Sequence, residues 1–110
     1  MTERIIDILE KQEFRVFGTH GQDGEFYTEL EWCSPAGEDF IATVWHKSRS
    51  DEDFTKGFRE YAEAFDPDEH AELWCESRGK NGVPSSIRVL IDDADAIKEH
   101  LAATAKLLQG

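Results

Sequence analysis

The sequence predicts an α+β domain: an N-terminal helix, a three-stranded antiparallel meander, and then three or four helices packed on one sheet face. Three observations support this prediction. The chain opens with an apolar stripe of helical period, continues with segments in which apolar and polar side chains alternate, and returns to helical period in its second half. The turns between the alternating segments are short, which favours antiparallel neighbours. The length of 110 residues is that of one domain, so we expect residues 1–110 to form a single unit.

The start of the chain changes from helical to strand period within about twenty residues. Thr2 is placed to cap a helix that runs to about Lys11. Alternation around Phe14 then predicts a strand that ends near Gly18. Residues 20–24 are predicted to form a turn, because their Asp-Gly pair is a strong hairpin signal.

The second and third strands differ in what their outer faces carry. In the second strand, one predicted face holds Phe26, Thr28, Leu30 and Trp32, and the other holds Glu25, Tyr27, Glu29 and Glu31. A turn over residues 34–38 leads to the third strand, residues 39–46, which is apolar on both faces. Ile41 and Trp45 point away from the expected core on this edge strand, which would be an aggregation hazard if left bare. The alternatives are cover by a terminal helix, homodimerisation through this face, or a small-ligand pocket.

Two helices are predicted after the sheet. Ser50 and Asp53 have capping-box spacing, and an aromatic stripe follows on one face. Asp66 before a proline marks a restart of the chain as a second helix, which should stop at Gly79. Residues 79–84 are expected to be a flexible linker.

The C-terminal segment carries a heptad-like apolar stripe. Ser85 or Ser86 can cap it. Asp92 and Asp95 offer a second cap, so the pattern leaves open whether this segment is one helix or a short helix followed by a longer one.

The charge balance restricts the classes of partner. There are 24 acidic and 12 basic residues, a formal net charge of −12. Such a chain repels phosphate backbones and anionic lipid, so we expect no direct nucleic-acid or membrane binding. A basic protein would be attracted, although solubility alone also accounts for acidic surfaces. No secretory signal or membrane-length apolar segment is present, and Cys33 and Cys75 lack a metal or redox spacing; we expect a cytoplasmic protein with reduced, buried thiols.

The strongest functional signal is a run of acids. Seven acids and no Lys or Arg lie between Glu60 and Glu76. Acids three and four residues apart on a helix repel each other, which costs a few tenths of a kcal/mol per pair. We therefore predict an interaction surface made of Glu60, Glu63, Asp68, Glu69, Glu72 and Glu76. The alternative is a solvated face in which acids favour helix N-termini.

No motif predicts a cofactor, a metal or a catalytic residue. The acids near His70 match neither the calcium loop of an EF-hand nor the paired ligands of structural zinc. The sequence has no phosphate-binding glycine loop and no nucleophile elbow. We therefore expect that the protein is not an enzyme. The alternative is a small-ligand or metal-dependent enzyme that uses His70, Cys75 and nearby acids.

The segments FDPDEHAELW, RGKNGVPSSIR and DDADAI give the C-terminal half a family resemblance. They resemble small acidic uncharacterised proteins of gut-dwelling Gram-positive bacteria and their mobile elements. The residues that carry the likeness are Phe65, Asp66, Glu69, His70, Trp74, Gly82, Pro84, Ser85 and Ile87. The resemblance implies a bacterial cytoplasmic origin and an accessory role on a mobile element, and it brings no catalytic residues.

Together these observations favour a non-enzymatic acidic interaction protein that docks a basic protein. One version is a DNA mimic, in which the carboxylates imitate a run of phosphates. A structural domain whose charge serves only solubility is a further alternative.

Overall fold

The computed structural model describes residues 2–78 and 87–110, and the side chains of these residues except 75–78 and 87. The elements are α1 (Glu3–Lys11), β1 (Arg15–Gln22), β2 (Glu25–Cys33), β3 (Asp39–His46), α2 (Asp51–Ala64), α3 (Pro67–Arg78) and α4 (Ile87–Gln109). The sheet order is β1-β2-β3, and both pairs are antiparallel. The predicted α+β class and its meander are confirmed.

The first hairpin is longer than the sequence predicts. β1 does not end near Gly18 but continues to Gln22, which pairs with Glu25. Asp23 and Gly24 alone form the turn, both with positive φ (48° and 84°), as a two-residue type I′ turn requires. The glycines and polar residues before it resemble a turn locally, but pairing with the long β2 strand holds them extended. A register shift between Val16 and Gly18 marks a bulge in β1.

The main core lies between one sheet face and three helices. β2 and β3 contribute Leu30, Trp32, Phe40, Ala42 and Val44. The helices contribute Ile5, Leu9, Phe54, Phe58, Ala62, Ile97, Leu101, Ala105 and Leu108. The predicted inner face of β2 is confirmed, because Thr28, Leu30 and Trp32 are all buried there. The buried Thr28 hydroxyl forms hydrogen bonds with the hydroxyl of Thr19 (2.7 Å) and with His46 Nε2 (2.8 Å).

α2 approaches β3 closely at a glycine. A Cβ on Gly57 would lie 2.3 Å from the carbonyl oxygen of Trp45 and 3.2 Å from Cβ of His46. Glycine in a helix interior ordinarily destabilises the helix. Here it lets the helix axis come near the strand, which defines the seam between β3 and α2.

A second, smaller core joins α3 to α4. It consists of Ala71, Trp74, Leu90 and Ala94, with Ala36 of the β2–β3 loop packed against it. Buried Asp93 ties this loop to α4, because its carboxylate accepts hydrogen bonds from Ser34 Oγ (2.6 Å) and from the backbone N of Ala36 (2.8 Å). The loop therefore has a fixed position beside α3.

The helix ends follow the sequence signals in part. Ser50 accepts a hydrogen bond from the Asp53 amide, and Asp66 accepts from the amides of residues 68 and 69, which confirms both caps. Thr2 makes no cap bond; its hydroxyl and amide instead bind the carboxylate of Asp51. α4 is one helix, without a second start at Asp92 or Asp95. The predicted stop at Gly79, the linker 79–84 and the Ser85 or Ser86 cap lie outside the described residues.

Candidate functional site

The predicted acidic residues lie on the C-terminal part of α2 and on α3. Glu60, Glu63, Asp68, Glu69 and Glu72 are all exposed. We call these five residues the acidic surface. Glu76 lies in α3, but the structure does not describe its side chain. The acid run thus spans the end of α2 and most of α3, two successive helices.

The carboxylates of the acidic surface are unpaired within residues 2–78 and 87–110. None of the five forms an ion pair or a side-chain hydrogen bond there, although Glu60 lines a groove together with Lys47 and Lys56. Lys98 comes near but binds backbone carbonyls, those of Ala62 (2.5 Å) and Glu63 (3.1 Å). Its charge therefore caps the C-terminal end of α2 rather than pairing with a carboxylate.

An apolar groove lies beside the acidic surface, between the start of β3, the end of α2 and the first turns of α3. It has a volume of ≈ 330 Å³, and we call it the β3–α3 groove. Its lining consists of Phe40, Ile41, Tyr61, Ala64, Phe65, Asp66, Glu69, His70 and Leu73. Ile41 and Leu73 are 44% and 55% exposed, although both are large apolar side chains. The groove therefore joins exposed apolar area directly to carboxylates.

Three aromatic rings in mutual contact support the groove. Phe40 and Phe65 meet edge to face with centroids 5.6 Å apart, and the ring of His70 lies 5.3 Å and 5.2 Å from them. His70 Nε2 donates to the Glu38 carboxylate, whose oxygens lie 2.7 Å and 3.0 Å away. This pair fixes the histidine between the β2–β3 loop and α3. Burial in the groove wall also raises the pKa of Tyr61 to about 12, because the phenolate would be poorly solvated.

The outer sheet face carries a row of aromatic rings. His20, Tyr27 and Trp45 are neighbours across the three strands, with ring centroids 5.5 Å and 5.1 Å apart. Trp45 is 59% exposed, and Ile41 lies on the same side of β3. The expectation that a terminal helix covers this face is wrong, because α1 and α4 pack on the opposite face of the sheet.

The histidines other than His20 are held by partners inside the fold. His46 lies between Thr28 and the carbonyl of Ser48, and His100 donates to the carbonyl of Gln12 (2.7 Å) while it stacks on Trp32 (4.1 Å). Among the residues with described positions, no group of three or more His, Cys, Asp or Glu is arranged to hold a metal ion.

The structure describes the side chain of one of the two cysteines. Cys33 is a free, exposed thiol, so the prediction that it is buried is wrong. The side chain of Cys75 lies outside the described residues, so the alternative site of His70, Cys75 and nearby acids stays a prediction.

Comparisons with protein-family models, with curated proteins and with solved structures gave no match to this chain. None of the helices in the described part of the chain has the length and apolar character needed to cross a membrane.

The acid run is evident in the sequence, whereas the groove next to it forms between elements that are distant in sequence. Tyr61 and Phe65 belong to the apolar stripe of α2 and are partly buried against the main core. α3 packs against α4, and the end of the α2 stripe is only partly buried. Two lining residues are visible in the sequence as outward-facing apolar side chains: Ile41 on the edge strand and Leu73 among the acids of α3.

Proposed function

We propose that this protein is a non-enzymatic interaction domain that docks a cationic protein through its acidic surface. The observation that carries the proposal is the set of five exposed carboxylates that have no cationic partner among the residues the structure describes. Unpaired like charges cost stability locally, and a cationic partner would relieve that repulsion. Charge of this density also accelerates association with a basic surface.

The most specific form of the proposal is a DNA mimic of a mobile element that acts in the cytoplasm. The formal charge of −12 and the exposed carboxylates on two successive helices support it. Such a protein would occupy the phosphate-binding surface of a DNA-binding protein. Double-stranded DNA should then compete with this chain for the same basic partner.

A labelled oligolysine peptide tests the electrostatic part of the proposal. Its affinity is measured by fluorescence anisotropy, and it should fall strongly between about 50 mM and about 200 mM salt. One variant removes three charges from the acidic surface: Glu63→Gln, Glu69→Gln and Glu72→Gln. A matched control removes three exposed charges from α1 and α4: Asp7→Asn, Glu10→Gln and Glu99→Gln.

The two variants carry the same net charge, so a difference between them reports position rather than total charge. Exposed ion pairs contribute about 0.2–1 kcal/mol each, so the first variant should bind about tenfold more weakly. The control should change affinity by less than about threefold. Equal losses in both variants would mean that binding follows net charge alone, and the docking surface would have to be abandoned.

Self-association through the outer sheet face is a second candidate. The exposure of Ile41 and Trp45 on the edge strand favours it, since an uncovered apolar strand is prone to pair. Acrylamide quenching of Trp45 fluorescence and sedimentation equilibrium would test it together. A dimer should protect Trp45 at high protein concentration and release it on dilution; a monomer whose Trp45 is quenched at all concentrations would exclude this candidate.

A further inference from the structure

The β3–α3 groove differs electrostatically from the other groove along the seam between β3 and α2. That second groove, ≈ 350 Å³ in volume, is lined by both signs of charge: Glu25, Lys47, Asp53, Lys56 and Glu60. Among the residues that the structure describes, the lining of the β3–α3 groove includes no Lys or Arg. The one basic side chain in this described lining is that of His70, which Glu38 already holds. A segment entering the β3–α3 groove therefore meets apolar walls and negative charge together.

The two carboxylates at the rim of the groove differ in the hydrogen bonds that they already make within the protein. Asp66 uses one oxygen to cap α3, since Oδ1 accepts from the amides of residues 68 and 69. Glu69 makes no side-chain hydrogen bond within the described chain and is exposed. Glu69 is therefore available to a cation placed over Leu73 and Tyr61.

The size of the groove indicates what could fill it. A volume of ≈ 330 Å³ is at the lower end of the range for small-molecule sites. It suffices for one or two large side chains, which is how anchor residues enter protein interfaces. Exposed Leu73 and Ile41 flank the opening, and both would lose water contact when such a side chain enters.

We infer that the β3–α3 groove takes an apolar anchor side chain of the basic partner, next to a Lys or Arg that reaches Glu69. This inference rests on the proposed function, because the groove would bind the same basic partner as the acidic surface. It adds that this partner carries an apolar residue next to its Lys or Arg residues. The acidic surface attracts the partner, and the groove determines which basic segments stay bound.

Two labelled lysine-rich peptides of equal length and charge test the inference. One has two central leucines, and the other has serines in those positions. The leucine peptide should bind the unmodified protein about tenfold more tightly, equivalent to about 1.4 kcal/mol. Its advantage should persist at about 200 mM salt, because apolar contacts are not screened.

A pair of leucine variants locates the contact. Leu73→Ser removes an exposed apolar wall of the groove and should reduce the advantage of the leucine peptide to below about threefold. Leu107→Ser is the matched control, since Leu107 is 48% exposed on α4 and lies outside the groove lining; it should leave the advantage unchanged. Circular dichroism verifies that both variants are folded.

The outcomes separate this inference from the proposed function. Equal, salt-sensitive binding of both peptides would overturn the groove inference and leave the acidic docking surface intact. An advantage that survives Leu73→Ser would also overturn it, because the apolar contact would then lie elsewhere. Failure of both peptides to bind would refute the two proposals together.

Discussion

Replacement of Gly57 by alanine tests which effect on stability is larger: the gain in helix propensity of α2 or the loss of packing against β3. In an exposed helix interior this change stabilises a protein by about 1 kcal/mol. In this fold the new Cβ would lie 2.3 Å from the carbonyl oxygen of Trp45. A backbone carbonyl cannot rotate away as a side chain can, so α2 must shift from β3.

The expected net effect is a loss of stability. Overpacking of this kind costs about 1–3 kcal/mol, and backbone contact puts Gly57→Ala at the upper end. After subtraction of the propensity gain, we expect a loss of about 2 kcal/mol in the free energy of unfolding. For a domain of this size, that corresponds to a fall of about 10 °C in Tm.

Urea unfolding, followed by circular dichroism and by tryptophan fluorescence, measures this change. Lys56→Ala is the control, because Lys56 is exposed on the same helix and the two residue types have similar propensity; it should stay within about 0.5 kcal/mol of the parent. Any gain in stability for Gly57→Ala would refute the close approach of α2 to β3.

Three further predictions concern titration and burial. Absorbance titration should show one phenol with a pKa of about 12, and the variant Tyr61→Phe should lack that titration. The contribution of the neutral Tyr61 phenol to stability is complete below pH 10 and is lost as the pH rises through about 12. Hydrogen bonds from Thr2 hold the pKa of Asp51 below 3.8, so the stability that they add is present above pH 3.8 and is lost as the pH falls through the lowered pKa. In NMR spectra, Thr2→Ala should shift the titration of the Asp51 carboxyl back toward that of an ordinary aspartate. Asp93→Ala should cost about 2–3 kcal/mol in urea unfolding, because it leaves buried donors of the β2–β3 loop without an acceptor, whereas Asp95→Ala, on the exposed side of α4, should cost less than about 0.5 kcal/mol.

Local patterns were sufficient for the class of fold and for most element boundaries. Alternation in β2 identified its buried face, because the side-chain period of a strand leaves one face for the core. Ser50 and Asp66 marked helix starts through the chemistry of capping. The prediction failed at β1, since residues 18–22 have no apolar pattern of their own and are held extended by their partner strand.

The roles of the polar core residues could not be derived from sequence. His46, Asp93 and His100 have no local signal, because their partners lie on other elements of the fold. The same holds for the hydrogen bond between His70 and Glu38, which joins residues 32 positions apart.

The chain's own composition and periodicity determined that it is an acidic α+β domain with a run of carboxylates on its later helices, because charge counts and side-chain periods are local properties. Tertiary packing decided that the outer sheet face stays open and that an apolar groove adjoins the acidic surface. Those features depend on the distance between surfaces that are remote in sequence. Two such long-range contacts are the close approach of α2 to β3 at Gly57 and the hydrogen bond by which Asp93 holds the β2–β3 loop against α4.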